Sequence, residues 1–265
     1  MTSELVVTTF TAIADAESRV ATLTLNNPDR RNALSLDMIR ALDSSLVAAA
    51  SRNSTRVIVV RGEGAAFSAG HDLAEMQRER NEDFYAALFG ACTDLMVRLH
   101  ALRVPVIAQV HGVATAAGCQ LVAACDLAIC SDDARFATPG VNIGLFCSTP
   151  MVPISRAVGR KRAMYMLLTG EMISAQQAVD WGLVNQAVPI KELESRVDNL
   201  VQAIAKASPN IVGIGKVAFW KQIDATESSA YVASGEVMRN NAMLDDAHEG
   251  ISAFLEKRPP VWPAQ

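Results

Sequence analysis

The sequence predicts one α/β domain with mostly parallel strand pairing, followed by a helical C-terminal part. Three observations predict it. Short apolar runs alternate with segments of helical spacing. Gly-containing loops follow two of those runs. After about Met151 the pattern turns mainly helical, with no low-complexity linker or internal repeat before it. At 265 residues, half of them hydrophobic, the chain can bury a sizeable core in one large domain. We divide it into a core over residues 1–200 and a helical region over 201–265 that belongs to the same functional unit.

Val20–Leu25 alternates as a strand does, and Asn26, Asn27 and Pro28 break it. From Leu34 to Ala50 the spacing is helical, with Leu34, Met38, Ile39, Leu42, Leu46 and Val47 on one face. Val57–Val60 and Val106–Val110 read as strands buried on both faces, and Leu127–Cys130 as a third. Between them lie a long helix over Glu82–Leu102, which ends before Pro105, and a helical signal over Gly118–Ala124. Later helices are expected at Lys161–Thr169, Ala175–Trp181, Ile190–Lys206 and Asp245–Glu256, with a short strand at Val184–Val188.

Composition narrows the function. The formal charge is −4 with both signs scattered and no basic block, which argues against a nucleic-acid partner. No apolar run approaches the roughly 18 residues of a membrane span, so no membrane partner is expected. Met1–Phe10 lacks the pattern of a secretory signal. Glu4, Asp15 and Glu17 precede the first basic residue, Arg19, which argues against a mitochondrial leader. The expected location is therefore cytoplasmic. The five cysteines, Cys92, Cys119, Cys125, Cys130 and Cys147, fit neither a zinc site nor a disulfide framework, and no metal is expected. Cys125 and Cys130 read as core filler, whereas Cys119 and Cys147 lie in loops.

Walker A, G-x-G-x-x-G and H-E-x-x-H sequences are absent, and the G-x-S-x-G pattern is missed at its first glycine by Ala66. Two loops stand out instead: AAFSAGHDLAEM over residues 65–76 and HGVATAAGCQL over 111–121. Both carry small residues where a backbone approaches something closely. The second runs into a helix, so its N–H groups lie at the positive end of the dipole, where an anionic oxygen is stabilised. Ordinary tight turns would give the same spacing.

These loops carry a resemblance. Asn27-Pro28-Asp29-Arg30-Arg31-Asn32-Ala33-Leu34 resembles the N-terminal signature of the crotonase family, the enoyl-CoA hydratases and isomerases. AFSAGHDL resembles that family's first oxyanion loop, and GVATAAGCQLVAACDLAI its second. RAVGRKRAMYMLLTGEMISAQQAVDWGLVNQAV and EGISAFLEKRPPVW are similar to its C-terminal signatures. The resemblance spans nearly the whole chain. ATAAGCQL and ATPGVNIGLFCSTP resemble one branch in particular, the enoyl-CoA hydratase domain-containing proteins.

The resemblance implies a crotonase-like spiral core of strand-strand-helix units and a helical C-terminal trimerisation region. It implies an acyl-CoA thioester as the ligand, with coenzyme A as part of the substrate and no separate cofactor. It further implies a homotrimer or a dimer of trimers. The thioester oxygen would be held by the backbone N–H groups of His71 and Ala117. The wider binding site would include Ala69, Asp72, Leu73 and Gly118, with Arg30 and Arg31 near the nucleotide and Phe254 and Lys257 closing over it. Asn142, Cys147, Ser148 and Thr149 would line the acyl pocket.

One departure bears on the chemistry. The two glutamates that hydratases use for proton transfer fall, in this chain, on Gln120 and Gly140. Glutamine does not exchange a proton near neutral pH, and glycine has no side chain. An acyl-CoA lyase or isomerase with altered or weak hydratase activity is the leading reading. Two others stand beside it: a non-catalytic acyl-CoA-binding protein, and a thioester hydrolase using Cys147 or Ser148. The side chains of His71 and Asp72 are further candidates for a catalytic role, against a purely local one.

Overall fold

A computed structural model describes residues 4–13 and 15–263; the ends of the two predicted regions, 1–3 and 264–265, lie outside them, as do the first three residues of the Met1–Phe10 stretch. An antiparallel pair, β1 (Val6–Ile13) and β2 (Asp15–Leu25), opens the chain. Then come α1 (Leu36–Ala50), β3 (Thr55–Gly62), α2 (Leu73–Arg78) and α3 (Glu82–Ala101). Two strand-strand-helix units follow. The first is β4 (Val106–Val110), β5 (Val113–Thr115) and α4 (Ala117–Ala124); the second is β6 (Leu127–Ser131), β7 (Arg135–Ala137) and α5 (Met151–Val158). In each unit the first strand joins a larger sheet and the second a smaller one.

The remainder is α6 (Arg160–Thr169), β8 (Ile173–Ser174), α7 (Ala175–Trp181), β9 (Gln186–Val188), α8 (Leu193–Ala205), α9 (Pro209–Gln222), α10 (Glu227–Ala242) and α11 (Asp245–Glu256). The larger sheet has the order β1-β2-β3-β4-β6-β9 and is parallel from β2 onward. The smaller has the order β5-β7-β8. The expected spiral of strand-strand-helix units is therefore present. No helix among the described residues is long and apolar enough to cross a membrane.

The central strands are buried on both faces, which explains their unbroken apolar runs. Ile58, Val60, Val106 and Ala108 face the main core with α1, α3 and α4. Val57, Val59, Ile107 and Ile129 face a second cluster built with Val197 and Val201 of α8. α8 thus packs on the sheet while crossing position 200. All five cysteines are buried; Cys147 lies in a loop as expected, whereas Cys119 lies in α4.

Several expectations change. Leu34 stands before α1, because Ser35 caps that helix by accepting from the Met38 N–H at 3.1 Å. Leu34 pairs instead with the loop at His71. Val47 is half-exposed, and Ala49 takes the buried position on that face. The stretch Ile190–Lys206 divides into a 3₁₀ turn at Ile190–Glu192 and α8. Strands β1, β5, β7 and β8 and helices α2, α5, α9 and α10 were missed. The short ones hold too few residues to show a period, and α9 and α10 bury almost nothing in one chain.

A buried ionic contact docks α9. Lys216 Nζ lies 2.6 Å from Asp126 Oδ2, with the lysine side chain 6% exposed, and donates to the Val104 carbonyl at 2.9 Å. Asp126 also accepts from the Val106 N–H at 2.7 Å and from Trp220 Nε1 at 2.8 Å. Removing the carboxylate would strand a buried ammonium, which typically costs about 3–5 kcal/mol. Asp126→Ala is therefore expected to lose about that much stability, read from denaturant unfolding followed by tryptophan fluorescence.

Candidate active site

The first loop is held by one buried amide. The Asn32 side chain donates to the Glu63 carbonyl at 2.9 Å and the Ala66 carbonyl at 2.8 Å, and accepts from the Asn27 N–H at 2.9 Å. The Ser68 hydroxyl donates to the Asn32 carbonyl at 2.9 Å. The loop ends on Asp72, which caps α2 by accepting from the Ala74 and Glu75 N–H groups, each at 3.1 Å. Asp72 also pairs with Arg30 at 2.8 Å.

The second loop is laced to the first. Thr115 N–H donates to the Ser68 carbonyl and Thr115 Oγ1 to the Ala69 carbonyl, both at 3.0 Å. Gly70 has φ +90° and lies so close that an added Cβ would stand 2.9 Å from the Thr115 oxygen and 3.2 Å from the Ala117 nitrogen. Only glycine combines that dihedral with that approach. Gly118 packs under Ser68 in the same way. The peptide beginning at His71 N is thereby set beside Ala117 N. Among the described residues neither N–H donates to any acceptor of the chain. Ala117 N opens α4, where the helix dipole adds positive potential.

Both residues line one cavity of about 380 Å³. Ala69 and Leu73 join them on that wall. Gly140, Asn142, Cys147, Ser148 and Thr149 form the facing wall. Met76, Ile143, Leu145 and Phe146, from the two stretches 72–85 and 142–153 expected to shape the pocket, also line it, as does Phe89, which was not foreseen. Apart from the buried Met76, they are apolar residues at exposed or half-buried positions, a weak signal in a sequence.

Other predicted residues stand elsewhere. Asp72 is occupied with Arg30 and the α2 cap and does not line the cavity, nor does Gly118. Arg30 and Arg31 flank the first loop, and Arg31 takes a left-handed φ of 50°. Phe254, 83% exposed, and Lys257, the left-handed cap of α11, are absent from the cavity wall within one chain.

The glutamate positions differ from expectation too. Gln120, 2% exposed, lies on a neighbouring cavity of about 220 Å³, with Thr149 on the walls of both. Its Oε1 accepts a weak bond from the Cys92 thiol at 3.9 Å. At Gly140 a Cβ would stand 2.0 Å from the Leu145 carbonyl oxygen and 2.8 Å from Cys147 Sγ. The chain closes that turn by donating Leu145 N–H to the Gly140 carbonyl at 2.9 Å. The space a glutamate would use is filled by backbone.

Titratable groups on the cavity are few. His71 Nδ1 lies 3.1 Å from the Leu34 carbonyl, so Nδ1 carries the proton and donates. The ring meets Phe89 edge-on at 5.5 Å, and Nε2 is buried without a partner among the described residues. Burial holds the imidazole below its ordinary value, offset in part by the Leu34 carbonyl. Burial pushes the Cys147 thiol up, offset in part by the Gly140 backbone, so it rests protonated. Ser148 Oγ reaches only the Phe146 carbonyl, at 3.4 Å. Among the described residues neither nucleophile is hydrogen-bonded to a base.

A spiral of strand-strand-helix units whose two small-residue loops meet at an apolar cavity defines a crotonase-fold protein. Comparison with known proteins agrees. The family description "Enoyl-CoA hydratase/isomerase" matches residues 15–265, and the chain belongs to that family, in its enoyl-CoA hydratase domain-containing branch. The human enoyl-CoA hydratase domain-containing protein 3, mitochondrial, is 47% identical over 243 residues, covering 92% of this chain and 80% of the relative. The rat protein of that name is 46% identical, covering 92% and 81%. A crystal structure of an enoyl-CoA hydratase from Mycobacterium smegmatis is 48% identical with a TM-score of 0.93, covering 97% and 98% of the two chains. That of the human domain-containing protein 3 is 45% identical with a TM-score of 0.91, covering 96% and 99%.

The mitochondrial names of these relatives overturn the cytoplasmic expectation. That expectation rested on the charges of the first residues. A folded domain of this kind does not report its compartment, because targeting signals are read apart from the fold.

Two outcomes follow from this geometry. Ala116 sits at φ 49° and ψ −117°, a conformation that favours glycine. Ala116→Gly is expected to raise stability by about 1 kcal/mol in thermal unfolding. The second concerns pH. With the folded value of His71 below the unfolded one, the unfolded chain binds the extra proton on acidification. Stability from this group is complete above about 6.5 and falls as pH drops through that value toward the folded one. His71→Phe should lose less stability than the parent between about pH 7.5 and about pH 5.5.

Proposed function

We propose that this chain binds an acyl-CoA thioester and stabilises its enolate oxygen between the N–H groups of His71 and Ala117. The observation that carries this reading is the pair of unpaired N–H groups set side by side at one apolar cavity. Abstracting a proton beside a thioester, or adding a nucleophile to its conjugated double bond, moves negative charge onto that oxygen. Fixed donors in a dry site stabilise that charge without reorganising, and losing one costs about 2.7–4 kcal/mol. The apolar lining of Leu73, Met76, Phe89, Ile143 and Phe146 suits an aliphatic acyl group.

The same lining limits the chemistry. Among the described residues the cavity wall holds no carboxylate: position 120 carries a glutamine, and Gly140 has no room for a side chain. We therefore favour an enzyme of the hydratase/isomerase type with weak or altered hydratase activity. Binding without turnover is the second reading, favoured by that lack of a carboxylate. The protonated Cys147 and the unassisted Ser148 give thioester hydrolysis no support. Coenzyme A enters as part of the substrate, with Arg30 and Arg31 placed to meet its phosphates. Phe254 and Lys257 would close over the nucleotide in a homotrimer or a dimer of trimers. The exposed Tyr231, Val232 and Met238 of α10, beside Phe254 and Leu255, support such an assembly.

Ala117→Pro tests the reading. Proline is tolerated at the first position of a helix and removes only the N–H there. A folded variant is expected to lose about 10²–10³-fold in turnover of whichever acyl-CoA the parent converts, followed by mass spectrometry. Unchanged turnover would refute the role of Ala117. If the parent binds acyl-CoA and converts none, the binding reading stands instead.

A further inference from the structure

β3 and β4 carry the two loops at their C-terminal ends. Their N-terminal ends, about 25 Å away along β3 at about 3.3 Å per residue, border a different cavity of about 190 Å³. Arg52, Thr55, Arg56 and Arg103 line it, and the end of α8 and the start of α9 close it through Ile204 and Pro209. Its charge is one-sided: three arginines reach the lining, and among the described residues no carboxylate does.

Each arginine is placed by an uncharged partner. Arg52 lies over the Phe10 ring at 4.1 Å. Arg56 Nε donates to the Ser18 hydroxyl at 2.9 Å. Arg56 is also the extra residue of a bulge, since Arg19 opposes Thr55 and Val20 opposes Val57, and a bulge re-aims its side chains. Arg103 Nη2 donates to Asn210 Oδ1 at 2.9 Å, at the start of α9. Its side chain lies against Gly213, where an added Cβ would stand 3.1 Å from Nε. None of the three forms an ion pair among the described residues. Asp246, the carboxylate bonded to Asn210, also accepts from Ser208 and stands off the lining.

A second observation comes from Thr55. It is 4% exposed, and its Oγ1 is buried without a partner among the described residues. A buried hydroxyl left unpaired is unfavourable, and so are like charges gathered on one cavity. An anion with several oxygens relieves both, because guanidinium N–H groups and a hydroxyl all donate to it. The cavity is smaller than the roughly 300–1,000 Å³ of a site for a drug-sized ligand, so it fits a small anion. Three positive charges and a hydroxyl suit a dianionic phosphate better than a carboxylate with two oxygens.

We infer that this cavity binds a phosphate group, as the free ion or as the end of a small phosphomonoester. Thr55 Oγ1 and the guanidinium groups of Arg52, Arg56 and Arg103 donate to its oxygens. Because Arg103 also holds Asn210, the bound anion ties the start of the helical C-terminal part to the sheet. This site is separate from the thioester site and does not rest on the acyl-CoA reading.

Thermal unfolding of the full chain in chloride, inorganic phosphate or glycerol 2-phosphate, at one pH and one ionic strength, tests this. At about 10 mM of the better phosphate the midpoint should rise by about 2 °C or more above chloride. The larger of the two shifts tells the free ion from the phosphomonoester. Arg56→Gln and Arg103→Gln should each cut the shift by half or more. Thr55→Val removes the unmet hydroxyl at nearly constant shape. It should unfold no earlier than the parent in chloride and yet lose half or more of the shift. A parent that gains nothing from either phosphate overturns the inference. So does a shift that any of the three variants keeps in full, as a general salt effect would.

Discussion

Gly70 rests against the Thr115–Ala117 backbone with no room between them for a side chain. This contact decides where two peptide N–H groups point, and most features of the surrounding structure maintain it. Asn32 pins the first loop from beneath through two carbonyls. Thr115 donates to the Ser68 and Ala69 carbonyls across the gap between the loops, and the Ser68 N–H donates back to the Val113 carbonyl. The loops in turn hang from β3 and β4, which pair in parallel and are buried on both faces, so their ends cannot drift apart. The positive φ of Ala116 is consistent with that demand, since a relaxed alanine would aim the next peptide elsewhere.

Charge stabilisation and proton transfer are separable parts of such a site. The first uses backbone, which any side chain tolerates, and it is retained with histidine and alanine at the two positions. The second needs a titratable side chain in reach of the reacting carbons. Here Leu145 and Cys147 fold into the space beside Gly140, and position 120 carries an amide in place of a carboxylate. His71, the nearest titratable group, has Nδ1 bonded to Leu34 and Nε2 covered. A neutral, occupied imidazole supports the loop and the cavity wall more readily than it moves a proton.

Much of this was legible in the residues. The parallel strands showed as apolar runs because both faces are buried. Long helices such as α3 and α11 showed because they run for several turns with apolar residues at helical spacing. The two loops stood out for their small residues, and the family resemblance placed His71 and Ala117 on them. The short strands β5, β7 and β8 were illegible, since two or three residues hold no period. α9 and α10 were missed because in a single chain little of their surface is buried. The cavity wall drew Met76 and Phe89 from helices and Leu145 and Phe146 from a turn, positions whose convergence depends on packing alone.

The sequence by itself determined the α/β class, the family, the two loops and the loss of both glutamates, because each is written in residue type or local order. Only the tertiary structure decided where the replaced positions face. Whether Gln120 meets the thioester or the space behind Thr149 depends on how the Cys147–Pro150 turn packs against α4. Whether Gly140 could bear a side chain depends on a carbonyl five residues later in the chain. Such contacts join segments that no sequence period links, so their geometry exists only once the loops have closed on each other.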